Sequence, residues 1–194
     1  MSGVTPTSNA RLALKPATFE TLTEGLDYAA QGQTGNNFYA AAGELGVSLT
    51  YGEIRERAVA LARRFIRAGL PAGGRMAIVA DTSPDFLCFF YACQYAGLAP
   101  VPLPLPMNLG GHDPYVQRIA RMIESAGAVA AVAPDEFSGF LKEAVAGLPV
   151  QMAGTPDDFN PLSHPALHLL PVRRDYLCHL QHLTPSASHV GPAG

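Results

Sequence analysis

Two segments contain residues whose types and spacing could bind a ligand or take part in a reaction, and the first surrounds His112. This histidine follows the pair Gly110-Gly111 and precedes Asp113-Pro114, which is typical of a helix N-cap with proline at the first helical position. Backbone N–H groups at a helix N-terminus attract anions, and an imidazole can add a hydrogen bond. The position therefore fits contact with an anion, but a structural corner between a strand and a helix explains the same residues without any ligand.

The second segment is the histidine-rich end of the chain, where metal binding is the chemistry to weigh. Five of the six histidines fall between residues 164 and 189, among them His179 and His182. Zinc sites use such spacings. However, no cysteine or carboxylate completes a known ligand pattern, and on a strand two residues three apart point to opposite faces. We expect exposed or hydrogen-bonded histidines here rather than a metal centre.

The three cysteines, Cys88, Cys93 and Cys178, indicate neither a disulfide framework nor a redox motif. Cys88 and Cys93 are five residues apart on a predicted helix, a spacing that does not place them on one face. We expect small buried hydrophobic side chains and a reducing compartment, the cytoplasm.

Bulk composition excludes several classes of function. The 194 residues include 48% hydrophobic and 15% charged ones, which is typical of a globular protein with one well-formed core. A net charge of -3 gives no electrostatic footprint for nucleic acid or an anionic membrane. The most apolar stretch is interrupted by polar residues, glycine and proline, so no transmembrane segment is expected.

Prolines stand at every second position of the segment PVPLPLP, as Pro100, Pro102, Pro104 and Pro106. In an extended chain, alternate residues direct their N–H groups to the same edge. The prolines therefore remove the donors from one edge and leave the other edge free to pair. Because proline is excluded from central strands, the segment predicts an edge strand. A ligand for an SH3-type groove would instead need prolines three residues apart.

Helix ends are marked consistently. The capping box Thr50-x-x-Glu53 opens one helix, and Ser83-Pro84-Asp85 opens the next. Further helices are predicted to begin at Asp113-Pro114 and at Pro134-Asp135-Glu136, and a weaker one covers about Phe19 to Ala30. A glycine follows each of the four main helices. Arg118 and Arg121 fall on the solvent side of their helix, where they would form surface ion pairs.

Short apolar runs alternate with these helices, at Met76–Ala80, Ala99–Leu103, Val129–Ala133 and Leu148–Met152. This alternation predicts an α/β fold, a doubly wound and mostly parallel sheet with helices on both faces. The predicted organisation is a flexible arm over residues 1–17, an α/β subdomain over 18–152, a connector over 153–175, and a final strand with a tail over 176–194.

Several of these segments resemble one enzyme family. The run VPLPLP followed by GGHDPYVQRI resembles the fatty acyl-AMP ligases, a branch of the adenylate-forming superfamily that includes the acyl-CoA synthetases. Leu49-Thr50-Tyr51-Gly52-Glu53 is similar to the family's opening motif, and Gly74-Arg75-Met76-Ala77-Ile78 to its next strand. The resemblance covers about Phe19 to Gln181, and it implies the N-terminal subdomain of the adenylate-forming fold, truncated.

That family activates a fatty acid with ATP and Mg²⁺, giving an acyl-adenylate that is loaded onto an acyl carrier protein or CoA. The resemblance implies the same substrates and partners here. Its phosphate-binding loop is rich in Ser, Thr and Gly and is followed by a basic residue. At the matching place the chain has Thr184, Ser186 and Ser188, which agree in type only, with Pro185 replacing a glycine and no Lys or Arg after Arg174.

This departure predicts an interrupted copy of the family domain, such as a frameshift would give. We expect no catalytic residue in the chain, an incomplete ATP site and no adenylating activity of the chain by itself. The alternative is a non-catalytic or split-enzyme module that docks a partner chain.

Overall fold

The computed structural model describes residues 12–15, 18–106 and 111–159, which form an α/β fold. The helices are α1 Leu22–Ala29, α2 Tyr51–Arg67, α3 Pro84–Ala96, α4 His112–Ala126 and α5 Ser138–Val145; the strands are β1 Gly35–Tyr39, β2 Leu45–Thr50, β3 Arg75–Val79, β4 Ala99–Leu103, β5 Ala128–Val132 and β6 Met152–Gly154.

Four parallel strands form the main sheet in the order β4-β3-β5-β6. Helices α2 and α3 share one hydrophobic core with one face of the sheet, whereas α4 and α5 pack against the opposite face. The predicted doubly wound sheet with helices on both faces is therefore confirmed for the described part of the chain.

Strand β4 lies at an edge of this sheet, as its prolines predict. The N–H of Ala99 donates to the carbonyl of Gly74 at 2.8 Å, and the carbonyl of Leu103 accepts from Ala80 at 2.9 Å. Odd-numbered residues of β4 thus pair with the β3 side, because N–H and C=O of one residue face the same edge. Pro100 and Pro102 consequently face outward, where no ladder bond is lost.

The core between α2, α3 and the sheet is closed by three phenylalanines. Phe65, Phe89 and Phe159 are each at most 2% exposed, and Phe159 packs edge-on against both of the others, with ring centroids 5.9 Å from Phe65 and 5.3 Å from Phe89. Phe159 ends a 3-10 turn, Pro156–Phe159, after β6. The turn that follows β6 therefore belongs to this core.

Strands β1 and β2 form an antiparallel hairpin that the sequence interpretation missed. Phe38 and Leu49 are buried against α2, whereas Tyr39, Leu45 and Val47 are 57%, 56% and 42% exposed. The alternation of Leu45, Val47 and Leu49 was the available signal, because period-two apolar residues are typical of strands.

The predicted starts of α2 and α3 are correct, whereas those of α4 and α5 differ from the structure. Thr50 and Glu53 form the expected capping box, and Ser83 caps α3. The assignment of Asp113 as the N-cap of α4 was wrong: Gly111 is the N-cap, and the carboxylate of Asp113 contacts His112 Nδ1 at 2.9 Å instead.

Two further boundaries differ from the prediction. Residues 135–137 form a 3-10 turn, so that α5 begins only at Ser138. The strand predicted at Leu148–Met152 is instead Met152–Gly154, because Leu148 and Val150 pack as side chains against the α4–α5 core instead of pairing with β5.

Candidate functional site

A cleft opens at the carboxyl ends of β3 and β5. These adjacent strands continue in opposite directions, β3 through α3 to β4 and β5 through α5 to β6. Such a switch point is where open α/β sheets bind ligands. The cleft has a volume of about 260 Å³ and is lined by Ile78, Val79, Asp81, Ser83, Asp85, Phe86, Phe89, Val132, Ala133, Pro134, Asp135, Pro156 and Asp157.

The N-terminus of α3 shapes one wall of the cleft. Ser83 Oγ accepts from the N–H of Phe86 at 3.2 Å and donates to Asp81 Oδ1 at 2.8 Å. The hydroxyl thereby satisfies the helix end and holds the Asp81 carboxylate beside it. The helix N-terminus that faces the cleft already has an anionic neighbour, which is the favourable partner for the helix dipole.

The polar lining of the cleft is acidic, with four aspartates, Asp81, Asp85, Asp135 and Asp157. Partial desolvation in the cleft raises the pKa of Asp85, and the Asp81 carboxylate adds to the rise. No lysine or arginine of the described part of the chain lines this cleft. The field of these aspartates is unfavourable for a phosphate group in this cleft.

The aspartates of the described residues do not form a preformed cage of three metal ligands. Within the ranges 12–15, 18–106 and 111–159, no three His, Cys, Asp or Glu side chains converge on a point that could hold a metal ion. A second cavity of about 220 Å³ shares Asp85 and Asp157 with the cleft and adds Arg57 and Arg64 from α2. The two arginines therefore line the neighbouring cavity and not the acidic cleft.

The described part of the chain does not include the phosphate-loop residues predicted from the sequence. Thr184, Ser186 and Ser188 lie outside the described residues, as do Cys178 and the five histidines of the C-terminal segment. Cys88 and Cys93 are buried as expected, and burial raises the pKa of the Cys88 thiol to about 11. Neither thiol is a reactive nucleophile, because the thiolate is strongly disfavoured.

His112 is held by carboxylates rather than offered to an anion. Its Nδ1 lies 2.9 Å from Asp113 Oδ1, its Nε2 lies 3.3 Å from Glu143 Oε1 on α5, and its ring lies against Phe140 with centroids 4.9 Å apart. The hydrogen bond to Asp113, with Glu143 beside it, raises the pKa of His112. These contacts favour the structural corner over the anion site.

A three-residue polar network, which sequence reasoning did not find, ties α1, α2 and α3 together. Asp27 Oδ1 accepts from Arg55 Nε and from the Tyr95 hydroxyl, both at 2.6 Å. Burial is the main reason why the pKa of the Tyr95 hydroxyl is raised, and the hydrogen bond to Asp27 adds to the rise. The three residues are far apart in sequence and follow no motif, so only the packing of the helices reveals them.

Comparison with known proteins decides the family. The model for AMP-binding enzymes matches residues 26–166, which is well over half of the chain. The chain belongs to the AMP-binding enzyme family. The described cleft thus lies in a domain of ATP-dependent, adenylate-forming enzymes.

Individual members of the AMP-binding family agree with this assignment. A Caulobacter vibrioides (strain NA1000 / CB15N) protein whose name assigns it as an acyl-CoA synthetase is 41% identical over 151 residues, covering 78% of this chain and 26% of that protein. A structure from a study of fatty acyl-adenylate ligases of E. coli and L. pneumophila is 34% identical, with a TM-score of 0.75, covering 81% of this chain and 28% of the other.

A more distant structure, McyG A-PCP with phenylalanyl-adenylate, shares the fold with a TM-score of 0.65 at 14% identity, covering 77% of this chain and 24% of the other. The chain therefore spans about a quarter of the length of these three proteins, and it corresponds to the N-terminal portion of the family fold. Among the helices of the described ranges, none combines the length and apolar character needed to cross a membrane.

Proposed function

We propose that this chain forms the N-terminal part of an enzyme that activates a fatty acid as its acyl-adenylate. The observation that carries the proposal is the match to the fatty acyl-adenylate ligase structure, at 34% identity over 81% of the chain. In the proposed reaction the fatty acid carboxylate attacks the α-phosphate of ATP and pyrophosphate leaves. The acyl group then passes to the thiol of a carrier protein or of CoA. The proposed location is the cytoplasm.

The part of the chain described here contributes scaffold rather than reacting groups. Catalysis of adenylation depends on positioning and on stabilising phosphate charge. The cleft at β3 and β5 is lined by four aspartates and by no lysine or arginine of the described residues, so it offers no cation for that purpose. We infer that the 194-residue chain does not adenylate by itself. The proposed remnants of a phosphate loop are Thr184, Ser186 and Ser188. Pro185 weakens phosphate binding by such a loop because it lacks a backbone N–H donor.

The test has two arms. Purified chain is mixed with ATP, Mg²⁺ and a series of fatty acids, and pyrophosphate release is measured; we expect none above background. In the second arm, residues 12–159 replace the matching segment of a fatty acyl-adenylate ligase. The chimera is expected to release pyrophosphate only when fatty acid is present. A chimera that folds but is inactive would count against the proposed scaffold role, and activity of the isolated chain would overturn the inferred lack of it.

The second candidate function is a split-enzyme module that docks a complementary chain. The exposed apolar residues of the hairpin, Tyr39, Leu45 and Val47, favour it, because such a patch is typical of a surface that another polypeptide covers. Addition of the remaining portion of a ligase as a separate polypeptide would then restore pyrophosphate release. Absence of any complex by analytical ultracentrifugation would exclude this candidate.

A further inference from the structure

A groove runs between the edge strand β4 and the helix α4. Its volume is about 460 Å³, and it is shallow and largely open to solvent. Val101, Met122 and Ala126 supply apolar surface, with Ser125 beside them, while Arg118 and Arg121 stand along α4. An apolar groove with cationic borders is a surface for an amphipathic, anionic partner.

The edge strand beside the groove cannot accept another strand by regular pairing. Strand addition needs alternating N–H and C=O groups along the open edge. On β4 the outward residues are Pro100 and Pro102, which carry no N–H. A partner that docks here must therefore satisfy its own backbone, and a helix does so.

The two arginines that line the groove are exposed to solvent. Arg118 and Arg121 are exposed and neither forms an ion pair with a described carboxylate; Arg121 Nε only donates to the carbonyl of Gln117 at 3.3 Å. A third guanidinium lies at the far end, since Arg75 Nη1 donates to the carbonyl of Ala126 at 3.1 Å. Glu124, three residues after Arg121 on α4, forms no ion pair with these arginines.

We propose that this groove binds an acidic amphipathic helix of a partner protein. Apolar side chains of the partner helix would enter between Val101 and Met122, and its carboxylates would meet Arg118, Arg121 and Arg75. The net charge of -3 disfavours an anionic lipid surface as the occupant, because the rest of the molecule is repelled by it. The proposal does not depend on the adenylation reaction.

The experiment uses the full chain and a fluorescein-labelled synthetic helix of about 14 residues, with leucine at every third or fourth position and glutamate beside the leucines. Fluorescence anisotropy is expected to show saturable binding that weakens as salt is raised. The double substitution Arg118→Glu with Arg121→Glu should weaken binding at least about tenfold. Lys142→Glu, the same change of charge on α5, should leave binding within about twofold.

Circular dichroism of each variant checks that the fold is retained. A second peptide with glutamine in place of every glutamate should bind weakly to the unsubstituted chain, which tests the charges without altering the protein. The proposal is overturned if the acidic helix does not bind, or if the glutamine peptide binds equally well. It is also overturned if the double variant binds as the unsubstituted chain does. Binding to vesicles of phosphatidylglycerol in place of the peptide would assign the groove to lipid instead.

Discussion

Phe159 closes the core between α2 and α3, and its replacement by alanine is expected to destabilise the fold strongly. The side chain is fully buried, and its ring makes edge-on contacts to Phe65 and Phe89. Truncation of a buried phenylalanine to alanine costs about 3–5 kcal/mol, since both transfer energy and a cavity contribute. In a domain of this size that loss lowers the Tm by about 6 to 20 °C.

The assay is urea unfolding followed by circular dichroism, with the thermal midpoint as a second measurement. Phe159→Leu keeps most of the volume and should cost less than about 1.5 kcal/mol. Tyr39→Ala removes an aromatic ring that is 57% exposed, and it should change stability by no more than about 0.5 kcal/mol. A loss below about 1 kcal/mol for Phe159→Ala would refute the assignment of Phe159 to the core.

Three other predictions concern polar contacts. Thr50→Ala removes the N-cap of α2 and should lower the free energy of unfolding by about 1 kcal/mol, whereas Thr50→Ser should retain it; equal losses would contradict the capping role. Tyr95→Phe should cost about 0.5–1.5 kcal/mol, measured by urea unfolding, because Asp27 loses one hydrogen bond; an unchanged midpoint would show that the bond contributes nothing. His112 has a raised pKa in the folded state, so its contribution to stability is complete below about pH 6.5 and is lost as the pH rises through the folded value. Glu143→Gln should therefore lower the pKa of His112 in an NMR titration and destabilise the fold more in acid than at alkaline pH, and a pKa that does not move would argue against the contact.

The sequence predicts the main sheet well because its signals are local. Prolines on alternate positions of β4 fix both its place at the edge and the direction in which it pairs, and Thr50 with Glu53 fixes the start of α2. These features depend on the backbone of neighbouring residues. Local chemistry therefore gives the fold class and most helix starts before any packing is known.

Features that depend on long-range packing were missed. The hairpin β1–β2 is short and half exposed, and Asp27, Arg55 and Tyr95 meet only once three helices have assembled. A local feature was also missed: Gly111 is the N-cap of α4, and the Asp113 carboxylate contacts the neighbouring His112 side chain rather than the helix end. The acidic character of the cleft was likewise invisible, because Asp81, Asp135 and Asp157 follow three different strands.

The strand order β4-β3-β5-β6 gives the sheet a direction of assembly during synthesis. Strand β3 is made first, and each later strand then adds to an edge that already exists, so no strand has to insert between two others. Once β4 is in place, its outward prolines end growth on that side. The two strands that follow, β5 and β6, add in turn to the opposite side, and a nascent chain can build this sheet in the order in which it leaves the ribosome.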